Sequence, residues 1–313
     1  MTRAFLFPGQ ATQAVGMGQD LADAFTTAKL VFEEVDEALK QNLSRLMFQG
    51  PEDELLLTEN AQPAILTVSL AVATVLEKDC NINLVEKAAY VAGHSLGEYS
   101  ALAAVGSLRL QDAARLVKLR GRSMQEAVPV GMGAMAALMG LELDVVKEVA
   151  AAAAGDEVCD AANDNAPGQV VVSGHASAVE RAVEIAGERG AKRCVMLPVS
   201  APFHSALMQP VADIMAEALA ETEITAPRVP VVANVTAEQV TDPDAILRNL
   251  VEQVTGMVRW RESIAYMKDN GVDSMVETGY GKVMSGLVRR VDREIATSAV
   301  GTPGDIEEFA KTV

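Results

Sequence analysis

The stretch from residue 91 to residue 106, VAGHSLGEYSALAAVG, constrains the fold more than any other part of the sequence. The apolar residues at its start predict a buried strand, and the residues after Gly97 predict a helix. Ser95 lies at the turn between them, flanked by Gly93 and Gly97. Glycines permit a cramped turn, and the helix begins with free N–H groups and a positive dipole end, so this serine has the setting of a nucleophile. The alternative is a structural serine at a tight turn.

Apolar strands alternate with helical patterns along most of the chain. Helices are predicted at 20–39 and at 61–79, the second of them apolar on nearly all sides. Strands connected by helices in this way form a mainly parallel sheet that is covered on both faces. We therefore expect an α/β protein. The strands discussed below are predicted at 4–7, 87–95, 229–234 and 273–279.

Residues 132–201 have a different pattern. Their segments predict a strand, a helix, two strands, a helix and a last strand at 194–200. The order βαββαβ is that of a ferredoxin-like unit. We expect a small subdomain at 132–201, inserted into a large domain that consists of residues 1–131 and 202–313.

Charge and composition exclude several classes of protein. With a formal net charge of −17 over 313 residues, the chain lacks the cationic surface that a general nucleic-acid binder needs. No apolar stretch approaches the roughly 20 residues that cross a bilayer. The three cysteines are too few and too scattered for a disulfide framework or a zinc site. We expect a soluble cytoplasmic protein with no metal and with no nucleic-acid or membrane partner.

A serine nucleophile needs a base within hydrogen-bond reach, and histidine is the commonest base. The chain has three histidines. His94 precedes Ser95 on the strand and points to the opposite face, so a packing role is favoured for it. His175 comes at the start of a predicted helix, where capping or exposure to solvent is favoured.

His204 is the candidate base. It lies where the chain returns from the small subdomain to the large domain, and a crevice between domains is a common place for an active site. No Asp or Glu between Ser95 and His204 stands out as the third group that orients the imidazole in α/β-hydrolases. The sequence therefore does not predict an ordinary esterase.

Six stretches, spaced over nearly the whole chain, resemble one family. They are LFPGQATQAVGMG, AGHSLGEYSAL, LVKLRGRSMQEA, NAPGQVVVSG, VSAPFHSALM and ETGYGKVMSGL, in that order. Together they resemble the malonyl-CoA:acyl carrier protein transacylases of bacterial type II fatty acid synthesis and the related acyltransferase domains of polyketide synthases. One such motif is weak, whereas six in order are highly specific. The resemblance implies an α/β-hydrolase-like large domain with a ferredoxin-like subdomain, in agreement with the pattern of strands and helices.

The resemblance also implies the reacting groups. Ser95 is the nucleophile that becomes acylated, and His204 is the general base and acid. A main-chain carbonyl near the stretch LVEQVTG, at Gln253, orients the histidine, which explains the missing acid.

The oxyanion hole implied by the resemblance consists of the backbone N–H groups of Gln10 and Leu96. Gln10 matches the glutamine of a Gly-Gln-Gly loop, but Ala11 stands here in place of the second glycine. Ala11 is strained if the position requires a positive φ, and otherwise we expect the loop to tolerate its methyl group.

Three further residues match substrate-binding positions of the family. Arg120 matches an arginine that pairs with the free carboxylate of the malonyl group, which a planar guanidinium can bind through two parallel hydrogen bonds. Phe203 resembles a bulky residue that disfavours an α-methyl branch on the substrate, an effect of about 1–3 kcal/mol. Core packing is the alternative for Phe203. Asn165, at the start of NAPGQVVVSG, is the third position.

The function that the resemblance implies is transfer of a malonyl group from malonyl-CoA to the phosphopantetheine thiol of acyl carrier protein, through a malonyl-serine intermediate. We expect a monomer that needs no metal or redox cofactor. The basic pairs Lys192/Arg193 and Arg289/Arg290 are the candidate docking points for the carrier protein.

Other functions remain open on the sequence. An acyl-CoA thioesterase would use the same Ser95 and His204, and a polyketide-pathway acyltransferase would use the same chemistry with another carrier. A non-catalytic acyl-CoA-binding scaffold is disfavoured, because it would be free to lose Ser95, His204 or Arg120.

Overall fold

The computed structural model describes residues 1–199 and 201–313. Its strands, in chain order, are β1 (Arg3–Phe7), β2 (Ala88–Gly93), β3 (Gly133–Met139), β4 (Cys159–Ala166), β5 (Gln169–His175), β6 (Arg193–Met196), β7 (Val231–Val232), β8 (Gln239–Val240), β9 (Ser274–Thr278) and β10 (Ala296–Val300).

The helices alternate with these strands over most of the chain. In chain order they are α1 (Gln19–Ala24), α2 (Thr26–Leu39), α3 (Leu43–Gln49), α4 (Glu52–Leu56), α5 (Thr58–Lys78), α6 (Leu84–Lys87), α7 (Gly97–Ala104), α8 (Leu110–Glu126), α9 (Leu143–Ala154), α10 (Ala176–Glu188), α11 (Gln209–Ala220), α12 (Pro243–Thr255), α13 (Trp260–Asp269), α14 (Val283–Val291) and α15 (Pro303–Ala310). None of the helices in the described part of the chain is long and apolar enough to cross a membrane.

The larger sheet has the strand order β10-β9-β1-β2-β7-β8, and every pairing in it is parallel except that of β7 with β8. Alternation along β1 shows why both faces are covered. Phe5 and Phe7 pack into the main core, whereas Ala4 and Leu6 pack into a second cluster around Trp260 on the other face. The predicted α/β class and mainly parallel sheet are confirmed.

Helix α5 lies at the centre of the main core. The sequence predicts it as apolar on nearly all sides, and the structure buries it over most of its length, against α2 and α8. Because α8 packs on this fixed support, the side chains on its buried face are held in place. Arg120 is one of them.

The smaller sheet has the strand order β4-β5-β3-β6 and is antiparallel throughout. With α9 and α10 packed on it, it has the predicted βαββαβ order and a core of its own. Its β4 strand is attached to the larger unit through a parallel bridge between Asn163 and Val258, and through an ion pair between Arg261 and the buried Asp164, at 2.8 Å. This attachment brings the end of β4 close to the end of β2. The domain boundaries at 132 and 201 stay a prediction.

Several elements differ from the sequence-based prediction. The helix predicted at 20–39 is wrong as a single helix, because Phe25 adopts extended dihedral angles and separates α1 from α2. The short helices α3, α4 and α6 span seven residues or fewer, too few for a clear periodic pattern, and they were not predicted. Of the strand predicted at 229–234 only β7 pairs in the sheet. The strand predicted at 194–200 ends in β6 at Met196, and Ser200 lies outside the described residues.

Candidate active site

The turn between β2 and α7 holds Ser95 in a strained backbone conformation. Ser95 has φ 52°, in the left-handed region that costs a non-glycine residue about 1–2 kcal/mol. The glycines around it are required by contact. A Cβ on Gly93 would lie 1.9 Å from the main chain of Gly97, and a Cβ on Gly97 would lie 2.3 Å from the carbonyl oxygen of Phe7. The turn is therefore the nucleophile elbow that the sequence predicts in this segment.

Asn234 stabilises this elbow, although sequence reasoning missed it. Its Oδ1 accepts a hydrogen bond from the Ser95 N–H at 2.7 Å, and its Nδ2 donates to the Gly93 carbonyl at 2.7 Å. One buried side chain thus connects the two sides of the strained turn. The available signal was only its place directly after the apolar segment 229–233, at the end of a strand of the same sheet.

Ser95 and His204 are brought together, and Gln253 stands behind them. The Ser95 hydroxyl donates to His204 Nε2 over 2.8 Å, and His204 Nδ1–H donates to the main-chain carbonyl of Gln253 over 2.8 Å. The second bond fixes the tautomer that leaves Nε2 free to accept a proton. Burial, followed by the charge of Arg120, lowers the pKa of His204 to about 3. The imidazole is therefore neutral at pH 7 and can act as a base.

Arg120 lies beside the nucleophile with its side chain 1% exposed. Its Nη2 donates to Ser95 Oγ at 3.1 Å and to Gln253 Oε1 at 3.0 Å, and its Nη1 donates to Gln62 Oε1 at 2.9 Å. Its Nε–H has no partner, and Arg120 forms no ion pair within the described residues. Burial lowers the pKa of the guanidinium, and the Tyr99 ring lies 5.9 Å away. An unpaired buried cation at this place is suited to an anionic group on a substrate.

The predicted oxyanion-hole residues lie on both sides of the elbow. Leu96 follows Ser95 and stands at the N-cap position of α7. Gln10 follows Gly9, on which a Cβ would lie 2.6 Å from the His94 carbonyl oxygen, so the loop after β1 packs directly against the elbow. The Leu96 N–H thus comes directly after the nucleophile, and Gln10 lies in a loop that contacts the elbow at His94. Their role in catalysis stays a prediction.

Ala11 does adopt the positive φ that the sequence left open, with φ 81°. The residue is exposed, and a positive φ carries a backbone cost of about 1–2 kcal/mol for a non-glycine residue. The Gln13 side chain accepts a hydrogen bond from the Ala11 N–H at 2.8 Å and holds the loop in this conformation.

Asn165 contacts His94 and not Ser95. His94 Nε2 donates to Asn165 Oδ1 at 2.8 Å, and the His94 ring lies 5.4 Å from that of Trp260. His94 is therefore packed away from the Ser95 hydroxyl, as expected, but it also ties the small sheet to the elbow. His175 stands at the N-cap position of α10, but its side chain makes no capping hydrogen bond, and its Nδ1 instead accepts a hydrogen bond from the Val158 N–H at 2.9 Å.

Phe203 is 9% exposed and belongs to the main apolar core. Its burial in this core fits the packing alternative, and its effect on substrate choice stays a prediction.

The basic pairs predicted as docking points lie away from Ser95 in the sequence. Lys192 packs against Gly140, whereas Arg289 and Arg290, with Arg293, line a surface groove of about 620 Å³ at the end of α14.

Gln62 and Glu98 are further residues of the site that sequence reasoning missed. Glu98 lies one turn after Ser95 on α7 and is 2% exposed. Its Oε2 accepts hydrogen bonds from the Asn234 N–H at 3.0 Å and from Gln253 Nε2 at 2.8 Å. Glu98 directly follows Gly97 of the elbow, but nothing in the sequence pattern indicated that its carboxyl is buried.

Comparisons with known proteins agree with this geometry. The family model described as "Acyl transferase domain" matches residues 4–300. The malonyl CoA-acyl carrier protein transacylase of Bacillus subtilis is 46% identical over 311 residues, which cover 99% of this chain and 96% of the relative. The crystal structure of the acyl-carrier-protein S-malonyltransferase from Bartonella henselae superposes with a TM-score of 0.97 at 52% identity, covering 100% of this chain and 99% of that one. A structure of a type II PKS acyl-carrier protein in complex with its malonyl-transacylase matches with a TM-score of 0.96 at 39% identity, covering 100% of both chains.

Burial of Glu98 predicts a measurable pH dependence of stability. Desolvation raises the pKa of Glu98 from 4.5 to about 7. Between these values the folded protein binds more protons than the unfolded chain, so this group lowers the free energy of unfolding as pH rises through that window. Glu98→Gln removes the titration. Between about pH 5.5 and about pH 8, the variant should gain roughly 2 kcal/mol of unfolding free energy relative to the unsubstituted protein.

Denaturant unfolding at the two pH values measures this difference. Glu217→Gln, on the exposed side of α11, is the control for loss of one negative charge. The account of a buried, ionisable carboxyl is contradicted if the unfolding free energies of Glu98→Gln and the unsubstituted protein differ by the same amount at both pH values.

Proposed function

Since the chain belongs to the acyl transferase domain family, we propose that it transfers a malonyl group from malonyl-CoA to the phosphopantetheine thiol of acyl carrier protein. One observation carries the choice of acyl group: the buried guanidinium of Arg120 lies 3.1 Å from Ser95 Oγ and makes no direct ion pair in the described part of the chain. An acyl group on Ser95 that ends in a carboxylate would place its charge next to Arg120. The product supplies the extender unit for fatty acid synthesis.

The first half-reaction loads the enzyme. Ser95 Oγ attacks the thioester carbonyl of malonyl-CoA while its proton passes to His204 Nε2. The backbone N–H groups of Gln10 and Leu96 stabilise the negative charge on the tetrahedral oxygen. The carbon–sulfur bond then breaks, and the imidazolium of His204 gives its proton to the departing CoA sulfur. The products are free CoA and a malonyl ester on Ser95.

The second half-reaction runs through the same groups in reverse. The thiol of the carrier's phosphopantetheine gives its proton to His204, and its sulfur attacks the ester carbonyl. The ester bond to Ser95 breaks, His204 returns the proton to Ser95 Oγ, and malonyl-carrier leaves. These steps need no metal or redox cofactor.

Arg120 favours substrates with a free carboxylate. Its Nε–H, unpaired in the structure, and its Nη2 form one edge of the guanidinium, the edge that binds a carboxylate through two parallel hydrogen bonds. A carboxylate that binds there replaces the contact of Nη2 with Ser95 Oγ or with Gln253. Acetyl groups lack this partner and leave the cation unpaired.

Hydrolysis by the same Ser95 and His204 is the alternative, and the comparisons do not favour it. The relatives reported above carry transacylase or malonyltransferase names. Accumulation of malonyl-carrier rather than free malonate, followed over time, distinguishes transfer from hydrolysis.

We further propose that the protein acts as a monomer in the cytoplasm. The candidate site is assembled from one chain, with Ser95, Arg120, His204 and Gln253 in mutual contact. Cys80, Cys159 and Cys194 are free thiols, as suits a reducing compartment.

The covalent intermediate is the first test of the function. Mixing the protein with malonyl-CoA and measuring its intact mass should show one added malonyl group, and Ser95→Ala should show none. Adding the carrier protein should remove the malonyl group and place it on the carrier. An unmodified mass after exposure to malonyl-CoA would sink the proposed mechanism.

Substituting Arg120 tests the selection of the acyl group. Arg120→Ala should lower kcat/KM for malonyl-CoA by roughly 100-fold, because the substrate carboxylate would be buried without a partner. The loss for acetyl-CoA should be much smaller. Arg120→Lys, which keeps the charge but not the fork of donors, should fall between. Equal losses for both substrates would refute the assigned role.

Reversal of charge at Arg289 and Arg290 tests the carrier docking point. The double variant Arg289→Glu/Arg290→Glu should raise KM for the carrier protein by about tenfold and leave formation of malonyl-Ser95 unchanged. Arg109→Glu, an exposed arginine at the start of α8, is the control. An unchanged KM for the carrier would remove the α14 groove from the docking surface.

A further inference from the structure

The carboxyl of Glu98 takes no part in the two half-reactions, although it is buried against the groups that carry them out. Its Oε2 accepts hydrogen bonds from Asn234 and Gln253, and Glu98 forms no ion pair within residues 1–199 and 201–313. Burying a carboxylate without a cation costs free energy, and an apolar or amide side chain at this place would avoid that cost. A group kept at such a cost calls for a functional explanation.

Gln253 connects Glu98 to the reacting groups. Its Nε2 donates to Glu98 at 2.8 Å and to the Ser95 carbonyl at 3.0 Å, and its Oε1 accepts from Arg120 at 3.0 Å. Its main-chain carbonyl accepts from His204. Because one residue makes all these contacts, whatever fixes its side chain also supports the carbonyl that orients the imidazole.

An ionised carboxylate fixes the orientation of this amide. A carboxylate can only accept hydrogen bonds, so it selects the rotamer in which Nε2 faces Glu98 and Oε1 faces Arg120. The opposite rotamer would direct the NH₂ group at the guanidinium and leave Arg120 without one acceptor. A neutral side chain at position 98 would select between the two rotamers less strongly.

The charge of Glu98 offsets that of Arg120. In both half-reactions His204 carries a proton, and the nearby charge of Arg120 opposes this, as it lowers the pKa of His204. The carboxylate of Glu98 acts on Arg120 across the amide of Gln253 and favours its charged form. Because an amide separates the two charges, the donors of Arg120 are not taken up by a direct ion pair and remain available to a substrate carboxylate.

We propose that Glu98 is a positioning residue for acyl transfer: its carboxylate holds the Gln253 amide in one orientation and offsets the charge of Arg120 while His204 carries the proton. The inference rests on the proposed function, since it concerns the same Ser95 and His204. It assigns to Glu98 the negative charge that α/β-hydrolases place in direct contact with their histidine.

Protonation of Glu98 should therefore reduce turnover. The titratable groups near it are Arg120 on α8, Tyr99 on α7, and His94 and His204 on either side of the elbow. Asn234 and Gln253, which donate hydrogen bonds to Glu98, have amide side chains that do not titrate. Burial raises the pKa of Glu98 to about 7, whereas that of His204 is lowered to about 3. A fall of kcat as pH decreases through about 7 thus reports on Glu98 and not on the base.

Glu98→Gln removes the charge and keeps an oxygen that can accept from both Asn234 and Gln253. We would measure kcat and KM for malonyl transfer to the carrier between about pH 5.5 and about pH 8.5. At the alkaline end kcat should fall about tenfold, while KM for malonyl-CoA is unchanged or lower because the site becomes more positive. The acidic decline of kcat expected of the unsubstituted protein should be absent.

Glu98→Asp is the matched variant, because it keeps the charge and shortens the reach. It should retain the acidic decline of kcat, and thermal unfolding of both variants checks that they are folded. Glu98→Gln with an unchanged kcat and pH profile overturns the inference. The inference is also overturned if Glu98→Gln and Glu98→Asp lose the same factor in kcat and have the same pH profile, because a purely structural role predicts that result.

Intact mass separates this failure from failure of the proposed function. If the unsubstituted protein forms no malonyl-Ser95, the function is wrong and the inference falls with it. If the unsubstituted protein is malonylated and Glu98→Gln has the same kcat at every pH, only the inference about Glu98 is wrong.

Discussion

The hydrogen bond from His204 Nδ1 to the main-chain carbonyl of Gln253 is the interaction on which the rest of the site depends. A carbonyl orients the imidazole as a carboxylate would, but it adds no negative charge in contact with the ring. The imidazole therefore stays neutral in a buried place, and a buried arginine can lie beside the same serine without a direct ion pair. Both the activation of Ser95 and the selection of an anionic acyl group thus depend on His204 Nδ1 donating to a main-chain carbonyl and not to a carboxylate.

The fold brings these groups together from distant parts of the chain. The end of β2 supplies Ser95, the buried face of α8 supplies Arg120, and α12 supplies Gln253. His204 comes from the segment that follows the small sheet. The parallel sheet fixes the elbow, and α5 supports α8 from behind, so the distances between the reacting atoms depend on the packing of the main core. The small sheet is attached next to the elbow through β4 and the contact of Asn165 with His94.

Sequence patterns predict the parts of this site that have a local signature. Ser95 is predictable because two glycines and a strand-to-helix change surround it, and His204 because few histidines compete with it. Gln253 came only from resemblance to a family. Asn234 and Glu98 escaped prediction because their importance lies in burial and in partners more than 130 positions away, which no local pattern contains. The division of the helix predicted at 20–39 was not predictable for a related reason. Phe25 fits the apolar spacing of a helix, but its backbone is extended.

Nuclear magnetic resonance of ¹⁵N-labelled histidine tests the central claim most directly. The chain has three histidines, and His204→Ala would assign the signals of the residue in question. At about pH 6 the nitrogen shifts of His204 should show a neutral ring with the proton on Nδ1, because its pKa is lowered to about 3 and the Gln253 carbonyl holds that proton. An imidazolium at this pH, or a neutral ring with the proton on Nε2, would contradict the account.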